Sequence, residues 1–139
     1  MSVEENKAIA RRFWDLYNEG KIEEILPLFA PDAVIHFPGA PGPLNTDAFK
    51  QVGEMFRAGF PDLYVTVEDS IAEGDRVVER TTATGTHTGV FQGIPPTGKK
   101  VQVTGITINR IVDGKIVERW NEFDALGMMQ QLGVIPTPG

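Results

Sequence analysis

The chain has 139 residues, 41% of them hydrophobic and 23% charged, the length and balance of one folded domain whose core needs no staples. It holds no cysteine and only two histidines, His36 and His87, which excludes disulfides, thiolate nucleophiles, iron–sulfur ligation and a structural zinc site. Thirteen basic residues against nineteen acidic ones give a formal net charge of −6, and the cations are scattered along the chain, so nucleic acid is not an expected partner.

The first predicted element is a helix. Ser2 precedes Glu4 and Glu5, which sets carboxylates near the positive end of the helix dipole. Ile9, Phe13, Leu16 and Tyr17 then recur at spacings of three and four, with Trp14 on the flank. Asn18, Glu19 and Gly20 end it. A second, shorter helix is read over Ile22 to Phe29, apolar at Ile25, Leu26 and Phe29, and Pro31-Asp32 stops it. Ala33 to Phe37 reads as a short strand closed by the turn-rich run 38–43. Asn45, Thr46 and Asp47 offer caps for a third helix, Ala48 to Phe60, with Phe49, Val52 and Phe56 apolar and Met55 beside them.

After Pro61 the period changes from helix to strand. Leu63, Val65, Val67, Asp69 and Ile71 alternate with Tyr64, Thr66, Glu68 and Ser70. Glu73-Gly74-Asp75 is a turn, and a second long strand runs from Arg76 to about His87. Thr88 to Lys100, with glycines and prolines at its centre, reads as the tip of a wide hairpin. Val101 to Val112 is a third strand, Asp113-Gly114 a tight hairpin signal, and Lys115 to Phe123 a fourth. Asp124 caps a short helix over Ala125 to Leu132 that Gly133 ends, and the tail from Val134 to Gly139 is expected to be loose. No apolar run approaches the ~20 residues of a membrane span. The acidic start, Met1 to Lys7, lacks the basic-then-apolar order of a signal peptide. A cytoplasmic location is therefore the expectation.

Three helices followed by a four-stranded antiparallel meander is an α+β arrangement in a single domain over 1–139, not alternating βαβ. A strongly curved sheet wrapped around the early helices would leave a cone with a closed apolar bottom. Such a hollow is a usual place for a ligand.

The run Gly85-Thr86-His87-Thr88-Gly89, continuing through Gly93-Ile94-Pro95-Pro96-Thr97-Gly98-Lys99, resembles the central signature of the SnoaL-like polyketide cyclases, also called ester cyclases. So does the block from Arg110 to Glu118 through Trp120 and Asp124, and the closing Met128-Met129-Gln130-Gln131-Leu132-Gly133 fits as well. The resemblance covers nearly the whole chain. It implies the cone of the nuclear-transport-factor-2-like superfamily, a curved antiparallel sheet with three helices, assembled as a homodimer or homotetramer through the sheet. It also implies closure of the last ring of an aromatic polyketide methyl ester by intramolecular aldol condensation, without metal or cofactor. One aspartate on the last strand is the family's acid/base, faced by a histidine on the preceding strand. Aligned through the Asp113-Gly114 hairpin, those positions are Asn121 and Thr107, and neither takes up a proton at neutral pH. Tyr17 matches an aromatic substrate contact, and Val52 approximately matches another pocket position.

Enolate chemistry needs a base within reach of an acidic C–H and donors for the developing oxyanion. Asp124 is one candidate base, with capping of the last helix as its other reading. His36, at the end of the first strand, is the second; its other reading is a hydrogen-bonded histidine beneath the proline-rich loop. Asn121 and Thr107 can hold a carbonyl or enolate oxygen, or they can satisfy each other across adjacent strands. Thr107 shares its parity with Val101, Val103, Gly105 and Asn109. Glu118 and Glu122 share theirs with Trp120, opposite to Arg119, Asn121 and Phe123, and so face away from the pocket. His87 reads as a donor that orders its loop. Gly93 to Lys99 lacks the spacing of a phosphate-binding motif. Met128 and Met129 read as packing residues of the last helix.

Trp14, Tyr17, Val52 and Phe56 shape the pocket. The expected protein is a cofactor-independent acid/base enzyme for a small hydrophobic carbonyl substrate, performing aldol-type cyclisation or a related isomerisation. The competing expectation is a non-catalytic binder of hydrophobic small molecules, favoured by Asn121 and Thr107 at the acid/base positions.

Overall fold

The computed structural model describes residues 2–137. Helix α1 (Val3–Asn18) begins at a full capping box: the Ser2 hydroxyl accepts the Glu5 N–H, and the Glu5 carboxylate accepts the Ser2 N–H. Its other end is tied down by Asn18, whose amide bonds both the N–H and the C=O of Val65 at 2.8 Å, standing in for a neighbouring strand. Helix α3 (Thr46–Gly59) starts on Asn45, which accepts the Ala48 N–H at 2.8 Å. Helix α4 (Ala125–Leu132) starts on Asp124 and ends on Gly133, whose φ of 78° is the left-handed conformation that favours glycine.

The helix expected over Ile22 to Phe29 is shorter than that. Helix α2 is the single turn Ile22–Ile25, followed by a 3-10 turn over Leu26–Leu28. Pro27 has no N–H to continue an α-helical ladder, and Phe29 already opens strand β1 (Phe29–His36). The strand runs through Pro31 and Asp32, where the sequence predicts a stop. Two features permit this: β1 lies at an edge of the sheet, where a missing N–H costs no ladder bond, and its register is irregular between Phe29 and Val34.

Strands β2 (Tyr64–Glu73), β3 (Arg76–Thr86), β4 (Lys100–Val112) and β5 (Lys115–Phe123) form the antiparallel meander. The sheet order is β1-β5-β4-β3-β2, with β1 added parallel to β5. The curved sheet is therefore mixed, and its antiparallel part is the expected meander. One apolar cluster joins α1 to β1 and the sheet through Ala10, Phe13, Leu16, Phe29, Ile35 and Ile116. A second, at the other end, gathers Phe60, Phe91, Val101, Val103, Met128 and Leu132. The tail leaves α4 without regular structure as far as 137; the last two residues of the stretch expected to be loose, 138–139, lie outside the described residues.

The loop between β3 and β4 folds back on the end of α3. Phe91 is fully buried, its ring centroid 5.0 Å from Phe56 and 5.3 Å from Phe60. A Cβ at Gly89 would lie 1.9 Å from the Ala58 carbonyl oxygen, so only glycine lets the loop approach this closely. His87 is buried and orders the loop as an acceptor rather than as the expected donor. Its Nδ1 accepts the Thr97 N–H at 3.2 Å.

Candidate active site

A cavity of about 150 Å³ lies between the helices and the concave face of the sheet. α1 supplies Phe13, Trp14 and Tyr17, and α3 supplies Val52, Gly53 and Phe56. The sheet contributes Thr81, Val103, Gly105, Thr107, Asn121 and Phe123, and Phe37, Phe49 and Phe60 complete a largely aromatic wall. All six sequence candidates for shaping the pocket or holding an oxygen, Trp14, Tyr17, Val52, Phe56, Thr107 and Asn121, are on this wall. Tyr17 presents its ring, because its hydroxyl donates to the Gly53 carbonyl at 2.8 Å. Burial pushes that phenol up to about 12, against the pull of Arg57, whose guanidinium sits 4.6 Å from the ring centroid.

The two candidate bases are elsewhere. Asp124 is exposed, and its Oδ1 accepts the Gly127 N–H at 2.8 Å, which is the capping role. His36 lies on the opposite face of the sheet. Its Nε2 is 2.7 Å from Glu118 Oε2, and its ring stacks on Trp120 with centroids 5.4 Å apart. Both stand off the cavity because β5 alternates: Glu118 and Trp120 face out where Arg119 and Asn121 face in. Only the backbone of His36 touches the site, its carbonyl accepting from Asn121 Nδ2 at 3.3 Å.

Thr107 and Asn121 do not satisfy each other. They are register partners on β4 and β5, but Asn121 Oδ1 accepts from Arg119 Nε at 3.1 Å, and the Thr107 hydroxyl points to Glu79 Oε1 at 3.5 Å. The reason lies in a polar rung across the sheet. Ser70 pairs with Glu79, Glu79 with Thr107, and Thr107 with Asn121. The next rung brings Asn109 beside Arg119, and Arg119 Nη1 donates to Asn109 Oδ1 at 2.9 Å.

Glu79 and Arg119 are both fully buried. Burial holds the Glu79 carboxyl above the usual carboxylate range. The charges of Arg119 and Arg11 work against this, and so, more weakly, do the Thr107 hydroxyl and the Trp14 indole N–H, which stops short of hydrogen-bond geometry. The same desolvation lowers Arg119 to about 10. Its guanidinium lies against two aromatic rings of α1, 3.8 Å from the Phe13 centroid and 5.0 Å from that of Trp14. Glu79 was missed in the sequence, although a signal was there. Val77, Glu79 and Thr81 alternate with the outward residues of β3, which puts the carboxylate on the inner face directly behind Thr107.

The model of the SnoaL-like polyketide cyclase family matches residues 7–132. The chain belongs to that family. It is 32% identical over 137 residues to aklanonic acid methyl ester cyclase DnrD of Streptomyces peucetius, covering 94% of this chain and 92% of that one. Among solved structures, AclR of Streptomyces galilaeus, provisionally assigned as a hydroxylase, superimposes with a TM-score of 0.90. It shares 31% identity, over 99% of this chain and 87% of its own. IdmH of Streptomyces antibioticus, provisionally assigned as a polyketide cyclase, gives 0.84 at 37% identity, over 92% of this chain and 98% of its own. In this member of the family Asn121 and Thr107 stand side by side on the cavity wall, and a buried carboxylate, Glu79, stands behind the second of them.

Proposed function

We propose that this protein is a cofactor-independent cyclase that closes a ring in a hydrophobic, carbonyl-bearing polyketide ester by intramolecular aldol addition. The observation that carries the reading is the aromatic cavity whose sheet wall bears Thr107 and Asn121 side by side. Flat rings gain from the aromatic wall. Asn121 uses one amide hydrogen on the His36 carbonyl, and its second suits a carbonyl or enolate oxygen. Trp14, Tyr17, Val52 and Phe56 would hold the hydrocarbon frame in a reactive fold.

The test is incubation with aklanonic acid methyl ester, the compound in the name of the Streptomyces peucetius relative, followed by chromatography with mass detection. Ring closure is an isomerisation, so a product of unchanged mass and new retention is expected. Tight binding of the ester without any isomer would replace this reading with the second one, a non-catalytic binder, which the unionised Asn121 and Thr107 favour.

The same proposal includes assembly as a homodimer or homotetramer through the outer face of the sheet, where Tyr64, Ile71 and Ile106 are 55%, 66% and 49% exposed. Native mass spectrometry checks it; a monomer at micromolar concentration would remove it. Among the described residues no helix is long and apolar enough to cross a membrane, and a cytoplasmic location is part of the proposal.

A further inference from the structure

We propose that Glu79 is the proton acceptor of the cavity and that the Thr107 hydroxyl is the route by which the cavity reaches it. The inference rests on reading the cavity as a site of carbonyl chemistry. Neither Asp124 nor His36 faces the cavity and Asn121 cannot ionise; of the other ionisable residues along its wall, Lys50 is a cation paired with Glu23, and Glu122 is exposed on the outward parity of β5, so the base is sought in the layer behind the wall. Glu79 is the fully buried carboxylate on the inner face, and it does not itself line the cavity. Thr107 does both jobs, lining the cavity and pointing its hydroxyl at Glu79 Oε1. The separation of 3.5 Å is long for a hydrogen bond, and the relay requires it to tighten when substrate binds.

The second carboxylate oxygen, Oε2, is buried without a partner, as is Ser70 Oγ, the neighbour of Glu79 on β2. The carboxylate therefore has hydrogen-bonding capacity left on Oε2. The charged groups acting on it are Arg119 from β5 and Arg11 from α1. They favour the ionised form that a base requires, while burial keeps the carboxylate basic enough to be useful.

The step balances without a co-reactant. A hydrogen on the carbon beside a substrate carbonyl passes as a proton to Thr107 Oγ1 while the hydroxyl proton moves to Glu79 Oε1. The C–H electron pair becomes the enolate, whose oxygen accepts a hydrogen bond from the second N–H of the Asn121 amide. The enolate carbon then bonds to the distant carbonyl carbon. The alkoxide formed there recovers the proton from Glu79 through Thr107, and Glu79 is again a carboxylate.

The experiment uses 1-tetralone, a flat aryl ketone whose α-hydrogens exchange slowly in neutral water, and follows deuterium uptake from D2O by proton magnetic resonance. It reports proton transfer apart from ring closure. The wild-type protein is expected to speed exchange, with a rate that rises with pH through the raised titration of Glu79. Glu79→Gln and Thr107→Val should each lose at least about 100-fold, and the double variant should be no slower than either single one. Thr107→Ser, which keeps the hydroxyl, should retain exchange and the same pH limb. A merely structural Thr107 would not be rescued in this way, and should Glu79→Gln fail to fold, the nearly isosteric Val and Ser variants at 107 still decide.

No exchange by the wild type, or undiminished exchange in folded Thr107→Val and Glu79→Gln, overturns the relay. The two readings separate cleanly. Exchange without cyclisation of the polyketide ester keeps the relay and removes the cyclase. Cyclisation undiminished in both variants does the reverse.

Discussion

Thr107 and Asn121 face each other across β4 and β5, yet each is bonded to a different buried ion: Thr107 to Glu79, and Asn121 to Arg119. The cavity floor is thus neutral at its surface and charged one layer behind. On this floor an amide and a hydroxyl meet the cavity, while Glu79 and Arg119 are buried behind them. Four consequences can be measured.

Arg119 is the hub of this layer. Replacing it by methionine removes hydrogen bonds to Asn109 and Asn121, takes the cation off the Phe13 ring and leaves Glu79 buried without its main counter-charge. Arg119→Met should cost roughly 3–5 kcal/mol in urea denaturation. In a Glu79→Gln background the same change should cost at least about 1 kcal/mol less, because no stranded carboxylate remains. Equal costs in the two backgrounds would show that the pair is uncoupled.

Glu79 also sets a pH dependence of stability. Burial, the largest cause, raises its pKa from 4.5 in spite of Arg119 and Arg11. A carboxyl with a higher pKa folded than unfolded binds its proton more tightly in the folded state. Its contribution is therefore fully present below 4.5 and is lost as pH rises through the raised value. Glu79→Gln should gain on the wild type across that window and then hold a constant offset. Paired urea curves from about pH 4 to about pH 8 measure it; an offset independent of pH would mean that the carboxyl titrates normally.

Asp124 and His36 lie off the cavity, so their loss should touch stability and not proton transfer. Asp124→Ala removes the α4 cap and should cost about 1 kcal/mol. His36→Ala breaks a half-exposed contact with Glu118 and should cost under about 1 kcal/mol. Exchange of 1-tetralone should persist in both; a large loss in either would return that residue to the list of bases.

Gly89 is the tightest backbone contact of the β3–β4 loop. Gly89→Ala would drive a Cβ into the Ala58 carbonyl and disturb the bond from the Gly89 N–H to the Gly59 carbonyl. A loss of about 1–3 kcal/mol in thermal unfolding is expected, with Gly42→Ala, where nothing lies within 4 Å and the backbone is not left-handed, as the milder companion. A drop no larger than that of the companion would leave the close approach without consequence.

Much of this protein is legible one turn or one pleat at a time. The Ser2, Asn45 and Asp124 caps, the β4–β5 hairpin at Asp113-Gly114 and the inward parity of Thr107, Asn109, Arg119 and Asn121 follow from groups a few residues apart, whose preferences the chain cannot escape. Membership of the SnoaL-like cyclases was legible for the same reason, since its signature is a run of local turns and strand ends.

Three things required the tertiary structure. Phe29 became a strand residue because an edge position tolerates Pro31, and edges are defined by partners far along the chain. His36 looked like a base until its pairing with β5 turned its ring to the outer face beside Glu118. Glu79 carried an inward parity in the sequence, but its significance came only from register. Pairings that span 28 residues to Thr107 and 40 to Arg119 in chain order set a carboxylate, a hydroxyl and a guanidinium in one dry layer. Parity says which face a side chain takes; how deep it lies, and against which charge, is decided by contacts between distant segments.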